Sequence, residues 1–207
     1  MNKKIQEFGV SDEMLFYTLE TIYGYSENLP TPQEYHRYDI HWDEPVLIAC
    51  YTNKHGYKIF SKHKFHLFAE IAKKAKQTIG FANVCYSDKV LAKAGISIET
   101  NYDLYEEINK QLGKSTLFAH SQYFRKQQLA LYARHNLPFF SSFFKGRVDG
   151  YWSDYKMTEI KNSCLGQLNL IVQLFQRRSH LYDVDGNIFI SLPCTDLEKR
   201  LNPENFE

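Results

Sequence analysis

The sequence lacks the features of a membrane or secreted protein. No apolar run approaches the roughly 20 residues that a helix needs to cross a bilayer, and the first residues, Met-Asn-Lys-Lys-Ile-Gln-Glu, have no apolar core of the kind found in a signal peptide. The four cysteines form neither a C-x-x-C pair nor a close trio, which favours free thiols and argues against an iron–sulfur cluster. We therefore expect a cytoplasmic protein with reduced, packed cysteines and no membrane partner.

A strong excess of one charge is also lacking. The 207 residues carry a net charge of +1, with 43% hydrophobic and 24% charged residues, which is ordinary for a globular protein. A chain of this length fits one domain with a substantial core. We expect a single domain over 1–207, with a helical and connecting segment at 1–45, a core at 46–192 and a tail at 193–207.

Acidic residues are missing over one long stretch. Between Ile108 and Val148 there is no Asp or Glu, whereas seven residues are basic. Such a stretch predicts either a surface that binds nucleic-acid phosphates or a basic surface that is merely solvated. A second basic cluster runs from Lys54 to Lys64. The seven basic residues of the first stretch are Lys110, Lys114, Arg125, Lys126, Arg134, Lys145 and Arg147.

The acid-free stretch leads directly into residues that suit a divalent cation. Phe143 to Val148 and Met157 to Lys161 have the composition of strands, and a glycine with polar residues between them permits a tight turn. Because side chains alternate along a strand, Glu159 and Lys161 would point the same way, beside Asp149 on the paired strand. Two carboxylates suit Mg²⁺ or Mn²⁺, and a lysine next to them can orient or activate water.

This order of residues resembles the active-site signature of the PD-(D/E)XK nuclease superfamily. A predicted helix from Gly166 to Arg178 follows, and Gln167 resembles the glutamine found after the lysine motif in the RecB-like and phage exonuclease branch. The resemblance implies an α/β fold with a restriction-endonuclease-like core, in which a small mixed sheet is flanked by helices, here after a helical N-terminal region. It also implies that Asp149 and Glu159 bind the metal, that Lys161 positions water, and that Gln167 steadies the site.

RecB-like nucleases often add a metal-binding histidine from an earlier helix. His66 and Glu70 are four residues apart in a segment with helical character, so their side chains would share one face. The resemblance implies that His66 is a third metal ligand and Glu70 an outer one. His63 is a competing candidate for the same role, and a further alternative is that His66 is an ordinary surface histidine.

Further side chains are expected to contact DNA. Basic residues before the motif would bind backbone phosphates, and aromatic residues beside it would stack on unpaired bases. For the aromatic residues the alternative is simple packing under the sheet. The expected contacts are Arg125, Lys126, Arg134, Lys145, Arg147, Tyr151 and Trp152.

Taken together, these features predict a magnesium-dependent deoxyribonuclease, either an exonuclease or an endonuclease selective for single strands or DNA structure. Its partner would be single-stranded DNA or duplex ends, and the resemblance also implies a homo-oligomer. One alternative is a non-catalytic nucleic-acid-binding protein with a degenerate nuclease fold. Another is a scaffold protein with neither property.

Local patterns also predict the order of secondary structure. Ser11 to Tyr23 has an N-cap signal and apolar residues at helical spacing. Gly113-Lys114-Ser115-Thr116 resembles the end of a phosphate-binding loop, but no strand precedes it, so a turn between helices is expected. Further predictions are a hairpin of Val46 to Tyr51 with Tyr57 to Phe60, helices at 63–77, 86–94, 101–112 and 116–135, a turn at Asp183 to Asn187, a strand from Ile188 to Leu192, and a loose tail after Pro193.

Overall fold

A computed structural model describes residues 11–23, 43–115, 122–138 and 157–201 of the chain. Its main feature is one mixed sheet of five strands with helices on both faces. The strands are β1 (Met14–Tyr23), β2 (Asp43–Thr52), β3 (Gly56–Ser61), β4 (Gln77–Gly80) and β5 (Tyr102–Asp103). The helices are α1 (Phe65–Lys74), α2 (Asp88–Lys93), α3 (Leu104–Gln111), α4 (Gln122–Asn136), α5 (Met157–Gln176) and α6 (Asp196–Leu201), and a small hairpin pairs β6 (Leu181–Tyr182) with β7 (Phe189–Ile190).

The strand order is β3-β2-β1-β4-β5. β1, β2 and β3 form an antiparallel meander, and the predicted hairpin around Asn53 to Gly56 is confirmed as the turn between β2 and β3. β4 then pairs parallel with β1 on the other side, and β5 pairs parallel with β4. The prediction of an α/β protein with a small mixed sheet flanked by helices is therefore confirmed at that level.

β1 is the central strand, and the helix predicted for Ser11 to Tyr23 is wrong. Its side chains alternate between two cores: Leu15 and Tyr17 belong to one apolar cluster, and Met14 and Phe16 to the other. A strand buried on both faces is apolar at nearly every position. That run also satisfies helical spacing, so periodicity alone could not separate the two structures.

The sheet separates two helical layers. Phe65 and Phe68 of α1 and Val90 and Leu91 of α2 pack into the cluster that contains Leu15. The cluster on the other face takes its helical side chains from α3, α4 and α5, through Leu104, Leu129, Leu168 and Phe175 among others. We call these the α1–α2 layer and the α3–α5 layer.

α5 begins at Met157, so the strand predicted for Met157 to Lys161 is wrong. Ile160, Cys164 and Leu168 are buried at four-residue spacing and place this segment on the same apolar stripe as the rest of the helix. Residues two positions apart on a helix point about 200° apart. Glu159 and Lys161 therefore do not share a face, in contrast to the arrangement on a strand.

Other parts of the chain agree with the sequence analysis more closely. The predicted packing role of the cysteines is confirmed for three of them, since Cys50, Cys85 and Cys164 are buried with free thiols. Burial raises the pKa of the Cys50 and Cys85 thiols to about 12, which keeps them protonated. The tail predicted to be loose contains α6, and Glu198 of that helix pairs with the buried Arg178.

β4 ends at Gly80 because the chain turns sharply away there. Ala82 adopts a left-handed conformation at φ 55°, and the Asn83 side chain folds back over Gly80. The Asn83 Nδ2 atom donates to the Tyr17 carbonyl of β1 at 3.1 Å. A Cβ atom at Gly80 would overlap the Asn83 side chain.

We expect Gly80→Ala to lower the free energy of unfolding by about 1–3 kcal/mol, because the added methyl group overpacks a buried site. Asn83→Ala removes the two closest atoms of the overlapping side chain and leaves only its Cβ, at 2.7 Å. The double variant should therefore lose less stability than the sum of the two single variants. Urea denaturation of all four proteins measures this coupling. Strictly additive losses would contradict the overlap.

Candidate functional site

β1 and β4 separate at their carboxyl ends and leave one edge of β1 open. The two strands pair only over Met14–Phe16 on β1. Beyond that point side chains bind the β1 backbone: Asn83 binds the Tyr17 carbonyl, and Arg125 Nη2 donates to the Leu19 carbonyl at 2.9 Å. In the strand order, β2 lies on one side of this pair and β5 lies on the other, and such switch points are where α/β sheets bind ligands. We therefore treat this crevice as the candidate site.

Its centre is the fully buried carboxylate of Glu20. The Oε1 atom accepts hydrogen bonds from Ser163 Oγ at 3.1 Å and from Gln167 Nε2. The Oε2 atom accepts from Lys126 Nζ at 2.6 Å and from Gln122 Nε2. A carboxylate has about four acceptor positions, and these four donors match them.

Lys126 supplies the charge that a buried carboxylate needs. Its side chain is only 11% exposed and that of Glu20 is 0% exposed. An unpaired ion in such a position would cost several kcal/mol of desolvation. The ammonium group therefore holds the position at Glu20 that a bound cation would otherwise take.

Arg125 lies in the same cluster and faces the protein interior. Its side chain is 1% exposed. The Nη1 atom donates to Thr18 Oγ1 at 2.6 Å, Nη2 donates to Gln167 Oε1 at 3.0 Å, and the guanidinium lies over the Tyr86 ring. The prediction that Arg125 and Lys126 bind nucleic acid is not supported, because both cations are committed to groups inside the protein.

Two buried tyrosines complete the hydrogen bonds around β1. Tyr86 Oη donates to Asp43 Oδ2 at 2.6 Å, and Tyr17 Oη donates to Asp88. Burial raises the pKa of both phenols well above the ordinary value, so both remain neutral donors. Burial also raises the pKa of the Asp88 carboxyl, although the Tyr17 hydrogen bond opposes that shift. These contacts connect β1 to the start of β2 and to α2.

The residues of the predicted metal site are not all described. Asp149, Lys145, Arg147, Tyr151 and Trp152 lie outside the described residues, so their predicted roles stay predictions. In the described parts of the chain, no group of three or more His, Cys, Asp or Glu is arranged to hold a metal ion.

The other members of the predicted site are spread over the fold. Glu159 and Lys161 are exposed in the first turns of α5, and Gln167 is buried against Glu20. His66 is exposed on α1, where it shares a face with Glu70 as predicted. α1 and α5 pack on opposite faces of the sheet. His66 and Glu159 therefore come from different layers.

Glu20 is a residue that the sequence pattern does not single out. If Met14 to Tyr23 formed the expected helix, one glutamate in it would simply face solvent. In a strand buried on both faces, a lone acid must have partners inside the protein. The importance of Glu20 can therefore be inferred from the sequence only after Met14 to Tyr23 is identified as a central strand.

A second feature is the concentration of lysines in the α1–α2 layer. Residues 53–98, all of which are described, contain nine Lys and two acids, and all nine lysines are exposed. One of the acids, Asp88, is half-buried and bonded to Tyr17 and Thr100. Glu70 is therefore the one exposed carboxylate of this segment. The lysines are Lys54, Lys58, Lys62, Lys64, Lys73, Lys74, Lys76, Lys89 and Lys93.

Comparisons with known proteins give little further information. No family model matches the chain, and no curated protein matches it. Among solved structures, the chain is similar to the family B DNA polymerase from the hyperthermophilic archaeon Pyrobaculum calidifontis, with 14% identity and a TM-score of 0.48. The match covers 78% of this chain and 24% of the polymerase, so the chain spans about a quarter of that protein. At this level the likeness assigns neither a fold family nor a function.

No helix in the described ranges combines the length and the apolar character that crossing a membrane requires.

We expect Lys126→Met to lower the free energy of unfolding by about 3–5 kcal/mol, because it leaves a buried carboxylate without a counter-ion. Lys110→Met is the matched control, since Lys110 pairs with Glu107 at the surface and should contribute less than about 1 kcal/mol. Adding Glu20→Gln to Lys126→Met should restore part of the loss. Urea denaturation measures all three, and equal effects of the two lysine variants would contradict the role of Lys126.

Proposed function

We propose that this chain is a nucleic-acid-binding protein that does not cleave its ligand. The observation that carries the proposal is the surface of the α1–α2 layer, where residues 53–98 contain nine exposed lysines and one exposed carboxylate. Two of these lysines, Lys62 and Lys76, pair with Glu44 and Glu13 from outside this range. A polymer with one phosphate per nucleotide is the biological ligand that best matches such a surface.

The charge distribution favours a polyanion over a small anion. Lys64 directly precedes α1, Lys74 ends it and Lys89 lies on α2. None of the three has a carboxylate partner among the described residues. Lysines spread over a surface bind successive phosphates along a backbone, whereas a small anion needs donors that converge on one point. The binding energy then comes largely from counter-ion release and depends on salt.

Two observations favour binding without hydrolysis. The nuclease hypothesis requires Glu159 and Lys161 to share one face of a strand, and they lie on a helix. The carboxylate at the sheet's switch point, Glu20, has its acceptor positions occupied by protein donors. Neither arrangement supports a metal bound between two carboxylates beside a lysine, which is the chemistry that the nuclease hypothesis requires. Metal-dependent hydrolysis through Asp149 remains the competing prediction.

We expect the protein to bind a fluorescent DNA duplex with an affinity that falls steeply with salt. The variant Lys64→Ala/Lys74→Ala/Lys89→Ala should reduce the slope of log K against log[salt] by about 1 for each phosphate that the variant no longer binds. The matched control is Lys110→Ala/Lys114→Ala/Arg134→Ala, which removes three exposed cations from the other layer. Fluorescence anisotropy at several salt concentrations measures both. A larger effect of the control variant would move the interface to the α3–α5 layer and contradict the proposal.

The absence of cleavage needs a separate assay. Wild type, Asp149→Ala and Lys161→Ala would be incubated with linear single- and double-stranded DNA in Mg²⁺, Mn²⁺ or EDTA. We expect the DNA to remain intact in all cases while binding is retained. Metal-dependent cleavage by the wild type that is abolished in both variants would establish the nuclease instead. A lack of salt-dependent binding would favour the scaffold alternative.

A further inference from the structure

A pocket of about 370 Å³ lies between the start of β4, β5, α3 and α6. None of the residues that line it belongs to the Glu20 cluster. Its volume is at the lower end of the roughly 300–1,000 Å³ of sites that enclose small molecules. Cys194 lines this pocket, so a thiol forms part of its wall.

Cys194 differs from the other three cysteines in its exposure. Those three are at most 8% exposed, whereas Cys194 is half-buried. Thiol–disulfide exchange requires that the reagent reach the sulfur atom. A small disulfide that enters the pocket therefore meets the thiol of Cys194 and none of the thiols in the core.

The backbone on both sides of Cys194 is held in place. On one side, Tyr102 Oη donates a hydrogen bond to the Pro193 carbonyl at 2.8 Å. On the other side, the Thr195 N–H donates to Glu198 Oε2 at 2.7 Å, and the Glu198 N–H donates to Thr195 Oγ1 at 3.2 Å. This reciprocal pair caps the start of α6. Cys194 therefore has a defined position in the wall of the pocket.

The pocket also contains a buried polar atom without a partner. Gln77 lines the pocket and is 5% exposed, and its Oε1 atom accepts no hydrogen bond. A buried amide oxygen without a donor is unfavourable. A ligand that brings an N–H group to this atom would remove that cost, as a peptide amide does.

The lining acids and lysines of the pocket are already in ion pairs. Arg200, in contrast, is exposed and has no carboxylate partner in the described parts of the chain. Its guanidinium is therefore available to a ligand carboxylate, which it can bind through two parallel hydrogen bonds. The existing pairs are Glu107–Lys110 at 2.6 Å, Asp196–Lys199 at 3.1 Å and Lys76–Glu13 at 2.6 Å.

We propose that Cys194 is a modification site that forms a mixed disulfide with a small peptide thiol bearing carboxylates. The peptide amide of the ligand donates to Gln77 Oε1, and a carboxylate binds Arg200. These two contacts hold the reagent while its sulfur atoms lie beside Cys194. The proposal is independent of nucleic-acid binding, because no step of it involves a nucleic acid.

The reaction is an exchange between Cys194 and the symmetric disulfide of the peptide thiol. Cys194 loses its proton to solvent, and the thiolate attacks one sulfur atom of the disulfide. A new S–S bond forms to Cys194 while the original S–S bond breaks, and the leaving thiolate takes up a proton from solvent. Cys194 is thereby oxidised and one half of the reagent is reduced. An excess of the reduced peptide thiol reverses the reaction.

The experiment measures how fast the reduced, folded protein forms adducts with three disulfides. They are oxidised glutathione, which is an anionic peptide, hydroxyethyl disulfide, which is neutral, and cystamine, which is cationic. Each rate is divided by the rate for a capped synthetic peptide of residues 191–195, which removes differences between the leaving groups. We expect this normalised rate to be about threefold or more higher for oxidised glutathione than for hydroxyethyl disulfide, and lowest for cystamine. Intact-protein mass spectrometry follows the adduct, and peptide mapping locates it.

Four variants assign the effect to the pocket. Cys194→Ser should form no adduct, since the remaining thiols are buried. Arg200→Ala should remove the preference for oxidised glutathione, whereas Arg134→Ala, the matched control, removes an exposed arginine that does not line the pocket. Gln77→Met keeps the bulk of the side chain without its amide and should lower the normalised rate with oxidised glutathione by about twofold or more. The unfolding transition of each variant verifies that it is folded.

Several results would overturn the proposal. Equal normalised rates for the three disulfides would show that Cys194 is an accessible thiol without a binding pocket. A wild type that forms no adduct, or an adduct that persists in Cys194→Ser, would exclude Cys194 as the modified residue. Equal effects of Arg200→Ala and Arg134→Ala would assign the preference to the net charge of the protein and not to the pocket. The proposed function is unaffected by any of these results.

Discussion

The burial of Glu20 is the constraint on which the rest of this fold depends. A carboxylate in the middle of a central strand requires a cation and several donors at fixed positions. α4 supplies Gln122 and Lys126, and α5 supplies Ser163 and Gln167. One side chain on β1 therefore fixes two helices against the sheet and their register against each other. It also explains why α4 carries cations that face the interior.

The attachment of α4 differs along its length. In its first turns, Gln122 Oε1 accepts a hydrogen bond from the Thr21 N–H and Arg125 donates to the Leu19 carbonyl of β1. Its second half packs through Leu129 and Tyr132. The polar half is needed because β4 leaves β1 at Gly80, so backbone groups that another strand would pair must find side chains. The crevice is thus filled from within by protein side chains.

The sequence predicts an element correctly where its residue pattern is typical of one kind of secondary structure. Where the pattern suits both a strand and a helix, the prediction fails. The β2–β3 hairpin and the helices that contain Phe68, Val90 and Ile108 have clear turn or helical signals, and they form as expected. β1 and the first turns of α5 have residue patterns that suit both a strand and a helix, so tertiary contacts decide between the two. Gln167 is a predicted site residue, but its partner Glu20 is 147 positions away along the chain. Such a contact has no local signal.

The nearly neutral net charge hides an uneven division of charge between the two faces of the sheet. In the α3–α5 layer, Arg125 and Lys126 are committed to buried groups, whereas each lysine of residues 53–98 is exposed. A count of basic residues along the chain overstates the positive electrostatic potential at the surface of the α3–α5 layer. A cation that neutralises an internal carboxylate contributes little to that potential. The stretch without acids between Ile108 and Val148 needs no ligand to explain part of its charge, since two of its cations serve the fold. The lysines of residues 53–98 are all exposed, and the two with printed ion pairs, Lys62 and Lys76, pair with Glu44 and Glu13 at the surface, so their charge contributes to the field of the α1–α2 layer.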